Sequence, residues 1–345
     1  MSSKVALPTL SSSPTRRYAY VWLFMKGDKY LPGVFVSAYS VLRTNPDADL
    51  VVMVTEDVSE KARAVLQKVV THIADVPYIS FKSKKLKTGR QKQLYESWIA
   101  ESYTKWNVLA LPYEKVLLLD ADTIVTENVD ELFKLDAPAM PMATPFIKPY
   151  GDLPTYYKGP VGLDGYPEHG TKLTLEYIEE TLTKCGVLPP SSQAIIAPSV
   201  DDYREYIQTI SDMQPFGYPE CNNGFDEQSI AHYYTNVKKV PYTVIHHRYN
   251  IFPWKDGFTF NGEIPRIIHF FSDTKPWTVA YDKYPDVITW YKMAGAAVDY
   301  ADIKPEDINI EKRNITSAKK ADDIFIHKYL KNKDVLQIYG LAKIN

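Results

Sequence analysis

The sequence predicts an α/β protein built on a mostly parallel central sheet flanked by helices, with a looped insertion and a helical C-terminal tail. Three observations predict it. Short apolar runs alternate with helical patterns from Tyr18 to Leu119, the signature of a parallel sheet covered on both faces. The texture then changes after Leu135 to a stretch rich in Pro, Gly and aromatics, which cannot form one long helix. From about Ala294 the chain becomes more polar, with a Lys/Asp-rich helical pattern.

The elements follow in order. YAYVWLFM, Tyr18 to Met25, reads as a buried strand. LPGVFVSAYSVLRTN reads as a helix that tolerates Pro32 because the proline stands in its first turn. DLVVMVTE, Asp49 to Glu56, is a second apolar strand. SEKARAVLQKVVTHI opens with Ser59 as N-cap and places its apolar residues at helical spacing. VPYISF, Val76 to Phe81, is expected as a short third strand, and Gln91 to Leu111 as an amphipathic helix. EKVLLLDAD is the fourth strand, ending at Asp120. Beyond the loops, LTLEYIEETLTKCG, SVDDYREYIQTI and DEQSIAHYYT are helical. Ser192 to Ala197, Tyr242 to Asn250 and Pro265 to Phe271 are extended. The expected organisation is a disordered leader over 1–17, one domain over 18–293 and a helical extension over 294–345.

With 345 residues, 45% of them hydrophobic, the chain can bury a large core without staples. Lys plus Arg is 40 against 42 acids, which argues against a general nucleic-acid binder or a strongly basic membrane-surface protein, though not against a local basic groove. Two cysteines, Cys185 and Cys221, are too few for a disulfide framework or a metal knuckle. No apolar run is long enough to span a membrane, and the N-terminus lacks a signal-like core, so a cytoplasmic setting is expected.

The chemistry concentrates in three stretches. In KVLLLDADTIV a buried strand ends in two acids, Asp120 and Asp122, one residue apart. Residues i and i+2 share a face while a strand lasts, so two carboxylates converge, and they repel unless a cation lies between them. Hard divalent ions such as Mg²⁺ or Mn²⁺ suit oxygen ligands, and such an ion can clamp a diphosphate leaving group. The bland reading is two solvated loop acids, one of them a helix cap. IIHFFSDTKPW ends another strand with His269, whose imidazole can complete a carboxylate site, and sets Lys275 before Pro276, where it suits a phosphate oxygen. By itself His269 reads more often as a packed or hydrogen-bonded histidine. NNGFDEQSIAHYY places Asp226, Glu227 and Gln228 at a helix mouth, suited to sugar hydroxyls or to simple N-capping by Asp226.

Taken in this order, Asp120-Ala121-Asp122 with NVDELF, then DEQ, then HFFSDTKPW, together with KGDKYLPG near the N-terminus, resemble the retaining glycosyltransferases of the glycogenin and galactinol synthase family, family eight. The resemblance covers Tyr18 to Trp277. It implies a GT-A fold with a Rossmann-like sheet, Mn²⁺ as cofactor, and a UDP-sugar donor, UDP-glucose or UDP-galactose. It implies Asp120, Asp122 and His269 as metal ligands. Donor contacts would come from Phe24, Lys26 and Tyr30, whose side chains differ from the usual Thr/Asn pattern, and from Ala121, Ser272 and the diphosphate lysine Lys275. Lys105, Asp226 and Gln228 are implied as catalytic residues, with Glu227 standing where Asp is more usual. Tyr249-Asn250 is followed by IFPWKDGFTF, without the self-glucosylated tyrosine of glycogenins, and Pro190-Ser191-Ser192 replaces their Asn-Ser-Gly. A separate acceptor is therefore expected: a carbohydrate, polyol or glycoprotein. A homodimer is compatible with the family. Two other readings stay open on residues alone: a sugar nucleotidylyltransferase, for which MKGDKYLPG is a poor phosphate loop, and a non-catalytic scaffold that holds a glycan or nucleotide.

Overall fold

A computed structural model describes residues 6–86, 92, 96–141, 168–184, 188–189, 191–219, 221, 223–251, 266–270, 274–282 and 285–321. Its strands and helices are β1 Thr9–Leu10, β2 Tyr18–Phe24, α1 Leu31–Leu42, β3 Asp49–Val54, α2 Glu60–Leu66, β4 His72–Asp75, β5 Lys115–Leu119, β6 Thr123–Val125 and β7 Ala139–Pro141. There follow α3 Leu175–Thr183, β8 Gln193–Ile196, α4 Val200–Asp212, α5 Phe225–His232, β9 Thr243–Ile245, β10 Ile267–His269, α6 Pro285–Ala301 and α7 Lys312–Lys320.

Eight strands form one mixed sheet in the order β1-β4-β3-β2-β5-β8-β7-β9. The β4-β3-β2-β5 centre is parallel, as are β7 and β9, while β8 runs antiparallel to both β5 and β7. The period of two along each strand divides the core between the faces. Tyr20, Trp22 and Phe24 of β2 join Leu117 and Leu119 of β5 against α1 and α6. Ala19, Val21, Val116 and Leu118 face the other way, toward Tyr103, Trp106, Tyr203 and Tyr206. Local chemistry agrees with this packing. Ser59, Thr174 and Ser199 each cap a helix by accepting the N–H three residues on, and Pro32 stands in the first turn of α1.

Several expectations are corrected. Residues 6–17, expected within a disordered leader, are ordered along the sheet edge: β1 pairs with β4, and Asp49 accepts the N–H of Thr15 at 2.8 Å and of Arg16 at 3.2 Å. A single buried carboxylate gathering backbone donors leaves no trace in local composition. The third strand lies at His72–Asp75 rather than Val76–Phe81. Val76 still donates to Val54 at 2.9 Å, but Pro77 has no N–H to continue the ladder. The expected amphipathic helix over 91–111 is met at Lys92, which is helical and accepts the Glu96 N–H at 3.0 Å, but from 96 the chain runs through turns into a 3₁₀ run over Ser102–Ala110 that is buried on nearly every side. After β9 the chain closes into a 3₁₀ turn over His247–Tyr249 instead of staying extended. The boundary expected at 294 falls inside α6, whose Trp290, Ala294 and Ala297 belong to the same core as the sheet. The looped insertion over 142–167 and the tail beyond 321 lie outside the described residues. No described helix is long and apolar enough to cross a membrane.

Candidate metal and nucleotide-sugar site

The β5 strand ends at Leu119, and the chain turns through Asp120, Ala121 and Asp122 into β6. That turn is held from two sides. From α1, Ser37 hydrogen-bonds Thr123 at 2.9 Å, and Ser40 accepts the N–H of Val125 at 2.9 Å. From the far end of the chain, β10 pairs antiparallel with β6 and sets His269 opposite Thr123. Residues almost 150 positions apart thus share one small ladder. Helix α1 packs so close that a Cβ on Gly33 would stand 2.7 Å from the Ala121 carbonyl and 2.5 Å from the Trp277 ring. Only glycine fits between them.

Asp120, Asp122 and His269 each offer one ligand atom, all within 4.8 Å of one another. The two oxygens of each carboxylate are divided. Asp122 gives Oδ2 to the Lys275 ammonium at 2.5 Å and turns Oδ1 toward His269 Nε2 at 3.3 Å. Asp120 gives Oδ1 to the Lys105 ammonium at 3.0 Å and turns Oδ2 toward the same nitrogen at 3.9 Å. The Nδ1 atom of His269 lies 3.0 Å from Asn250 Oδ1. With Nδ1 donating to that oxygen, Nε2 presents its lone pair to the two remaining oxygens, a partner-oriented imidazole of the kind that ligates metals. Two carboxylates and one imidazole fit a divalent ion of the Mn²⁺ or Mg²⁺ class.

The charges are mutually supporting. Burial alone would raise the Asp122 carboxyl, but Lys275 and then His269 hold it well below the usual carboxylate range. Burial lowers the Lys105 and Lys275 ammonium groups, and the neighbouring carboxylates more than reverse this, so both are raised. Asp226 goes the other way. Burial, with Glu227 and Asp120 adding repulsion against the pull of Lys105, pushes it up to about 7.

Asp226 lies inside the first turn of α5, not at its N-cap, which is Gly224. Its backbone carbonyl accepts from Trp106 Nε1 at 3.0 Å. Glu227 reaches the Ser191 N–H at 2.8 Å and Asn223 Nδ2 at 2.8 Å, and Ser191 Oγ lies 3.3 Å from Lys105 Nζ. Gln228 is fully buried, and its amide is spent on backbone: Oε1 accepts from Tyr218 N–H at 2.7 Å, and Nε2 donates to the Asn223 carbonyl at 2.8 Å. The expectation that Gln228 presents its amide to a sugar is not met in this arrangement, because both ends tie down the 218–223 segment.

The nucleotide-loop residues divide as well. The Phe24 side chain is completely buried in the core, and only its carbonyl is spent locally, on Thr55 N–H at 3.3 Å. Strand periodicity turns that ring inward, so a side-chain contact with a base is excluded. Lys26 adopts a left-handed conformation at φ 63°, pairs with Glu101 at 2.7 Å and donates to the Ser97 carbonyl at 3.2 Å. Tyr30 is partly exposed and stands edge-on to Trp277. Burial raises its phenol, with Lys275 opposing and the Asp122 and Asp120 charges adding to the rise. Ser272 lies outside the described residues.

Residues 23–145 match the family model described as Glycosyl transferase family 8. Over that stretch, about a third of the chain, the protein is similar to glycosyl transferase family 8. Glycogenin-1 of Oryctolagus cuniculus is 22% identical over 263 residues, 74% of this chain and 64% of that protein. Uncharacterized protein R707 of Acanthamoeba polyphaga mimivirus is 39% identical over 136 residues, 39% of this chain and 46% of that protein. The chain therefore matches about half the length of that viral relative. Among solved structures, the WbbM bifunctional glycosyltransferase apo structure superposes with a TM-score of 0.50 at 14% identity, over 89% of this chain and 52% of that one. That likeness shows the fold.

Four residues join the site without having been singled out for it from sequence. Asn250 orients His269, Ser191 bridges Lys105 and Glu227, Trp277 walls Tyr30, and Gly33 lets α1 approach. Tyr249-Asn250 is visible as a match to a family pattern and Ser191-Ser192 as part of a departure from one, but nothing local says which atoms they reach.

Proposed function

We propose that this chain transfers a hexose, glucose or galactose, from a UDP-sugar to a separate acceptor, with retention at the anomeric carbon and dependence on Mn²⁺. One observation carries the reading: each of two carboxylates is tied to a lysine by one oxygen and turned toward the same imidazole nitrogen by the other. A purely structural ion pair has no use for the second oxygen or for a histidine delivered by a separate strand.

Bound by Asp120, Asp122 and His269, Mn²⁺ would supply positive charge to the diphosphate of the leaving nucleotide. The chain's own groups do the remaining work. The Lys275 ammonium is kept protonated by Asp122 and lies beside the same cluster, where it can meet a phosphate oxygen as a point charge. Preorganised cations facing the developing charge of a leaving group are the largest kind of electrostatic contribution to such a step. Lys105, held between Asp120 and Ser191, sets positive charge between the metal ligands and Asp226. The Asp226 carboxyl, with no side-chain partner of its own among the described hydrogen bonds, is the acid left to face a sugar. Gln228 acts through the loop it anchors. The Tyr30–Trp277 pair offers aromatic surface beside the cluster, suited to a base or sugar face.

The test is UDP-sugar hydrolysis across a donor panel with and without Mn²⁺, in wild type and in Asp122→Asn. Metal-dependent turnover is expected in wild type and should drop by ~100-fold or more in the variant, the scale seen when one group stabilising a developing charge is removed. Calorimetry with UDP gives the companion measurement. Absence of UDP binding in both the presence and absence of Mn²⁺ would sink the transferase reading in favour of a scaffold.

A further inference from the structure

A second cleft lies outside the metal cluster, with a volume near 680 Å³. Four lysines, Lys82, Lys84, Lys85 and Lys92, line it against one acid, Glu96. All four are exposed, and none makes an ion pair with a described residue. The sequence from Lys82 to Lys92 contains no acidic residue, although the chain as a whole is close to neutral with a net charge of -2. Unpaired like charges around a concavity repel one another, which costs stability unless an anion neutralises them. Leu86 and Ile99, both half-buried, give the cleft an apolar wall.

The cleft is mechanically joined to the proposed reaction centre on two sides. One wall, residues 96–101, holds Lys26 of the nucleotide loop through the Ser97 carbonyl and Glu101. The other runs along the 214–218 segment: Lys82 N–H donates to Gln214 Oε1 at 2.8 Å and Lys84 N–H to the Phe216 carbonyl at 2.7 Å. Two residues on, Tyr218 N–H is held by Gln228. Ser83 also bonds the Tyr103 hydroxyl at 3.1 Å, and the Tyr103 ring packs between Phe81 and Phe216.

We propose that this cleft binds a phosphate monoester carried by the acceptor, so that the acceptor is a phosphorylated sugar or polyol. The binding site stands on the cleft itself; its assignment to the acceptor rests on the transferase reading. Lysine ammonium groups serve phosphate as mobile point charges, and several around one cleft suit the higher charge of a phosphate monoester. A single-stranded nucleic acid would call for aromatic platforms in the groove. Among the described lining residues the one aromatic, Phe81, is buried.

Calorimetry with glucose 6-phosphate as probe, and glucose as the uncharged control, tests this in the presence of saturating UDP and Mn²⁺. Saturation removes competition from the diphosphate site and shows separately whether UDP binds at all. Glucose 6-phosphate should bind while glucose does not. Affinity should fall as salt shortens the Debye length from about 30 Å at 0.01 M to about 8 Å at 0.15 M. The double variant Lys84→Gln, Lys85→Gln should weaken the sugar phosphate about tenfold or more, as expected for loss of charged hydrogen bonds, with UDP binding unchanged. Equal binding of glucose and its phosphate would overturn the proposal, as would a double variant indistinguishable from wild type. So would binding confined to vesicles of anionic lipid with no response to the soluble phosphate, which would make the cleft a membrane contact.

Discussion

Replacing Gly33 by alanine adds one methyl group at the tightest point around the metal cluster. The added Cβ would lie 2.5 and 2.8 Å from two atoms of the Trp277 ring and 2.7 Å from the Ala121 carbonyl oxygen. The last contact is with backbone, so no side-chain rotation relieves it. Two effects compete. Alanine is favoured over glycine in a helix interior by about 1 kcal/mol, and α1 would gain from it. Overpacking a filled site costs about 1–3 kcal/mol. The net expectation is a loss of about 1 kcal/mol and at most about 2, which a urea unfolding midpoint resolves. The strain falls on the turn between Asp120 and Asp122, so Mn²⁺ affinity, read by calorimetry, should weaken as well. Trp277→Leu in the Gly33→Ala background removes the ring atoms and should recover part of the stability, giving a favourable coupling energy in a double-mutant cycle. An alanine variant as stable as wild type and binding Mn²⁺ equally would refute the close-approach account.

Other outcomes are expected on the same footing. Asn250→Ala leaves His269 without its orienting acceptor and should lower Mn²⁺ affinity about 10–100-fold, the usual cost of losing such a partner, while circular dichroism stays unchanged. Gln228→Ala strips partners from Tyr218 N–H and the Asn223 carbonyl and should cost about 2–4 kcal/mol in chemical denaturation, one to two unsatisfied buried groups; unaltered stability would return the amide to a purely ligand-facing role. For Asp226 the folded value near 7 lies above the unfolded carboxylate value. The folded state therefore binds the extra proton, and stability falls as pH rises from about 4 to about 7. Asp226→Asn should flatten that slope and be more stable than wild type at pH 8, as measured by urea titrations across the range.

Much of this was readable from the chain. Strands β2, β3 and β5 are continuous apolar runs because both their faces are covered, and their ends could be set within a residue or two. The Asp-x-Asp cluster was legible because two acids directly after a buried run have few structural uses, and the structure brings His269 to it as expected. What was hidden depends on long-range geometry. The fates of Phe24 and Gln228 turn on whether the core closes over the last residue of β2 and on which loop passes over α5, and neither is a local property. Residues 6–17 are ordered by Asp49, a partner more than thirty positions away. The 3₁₀ run over Ser102–Ala110 carries the composition of a helix, but burial on nearly every side removes the amphipathic signal that would have defined one.

The ladder between β6 and β10 carries a consequence for biosynthesis. The parallel centre of the sheet is complete in sequence by Leu119, yet the histidine arrives only with Ile267–His269. A ribosome-bound chain stopped short of that strand can condense its parallel centre but has two acids and no imidazole. Capture of the proposed ion would thereby report that synthesis has passed β10, and chains truncated before it should emerge folded in part and unable to bind manganese.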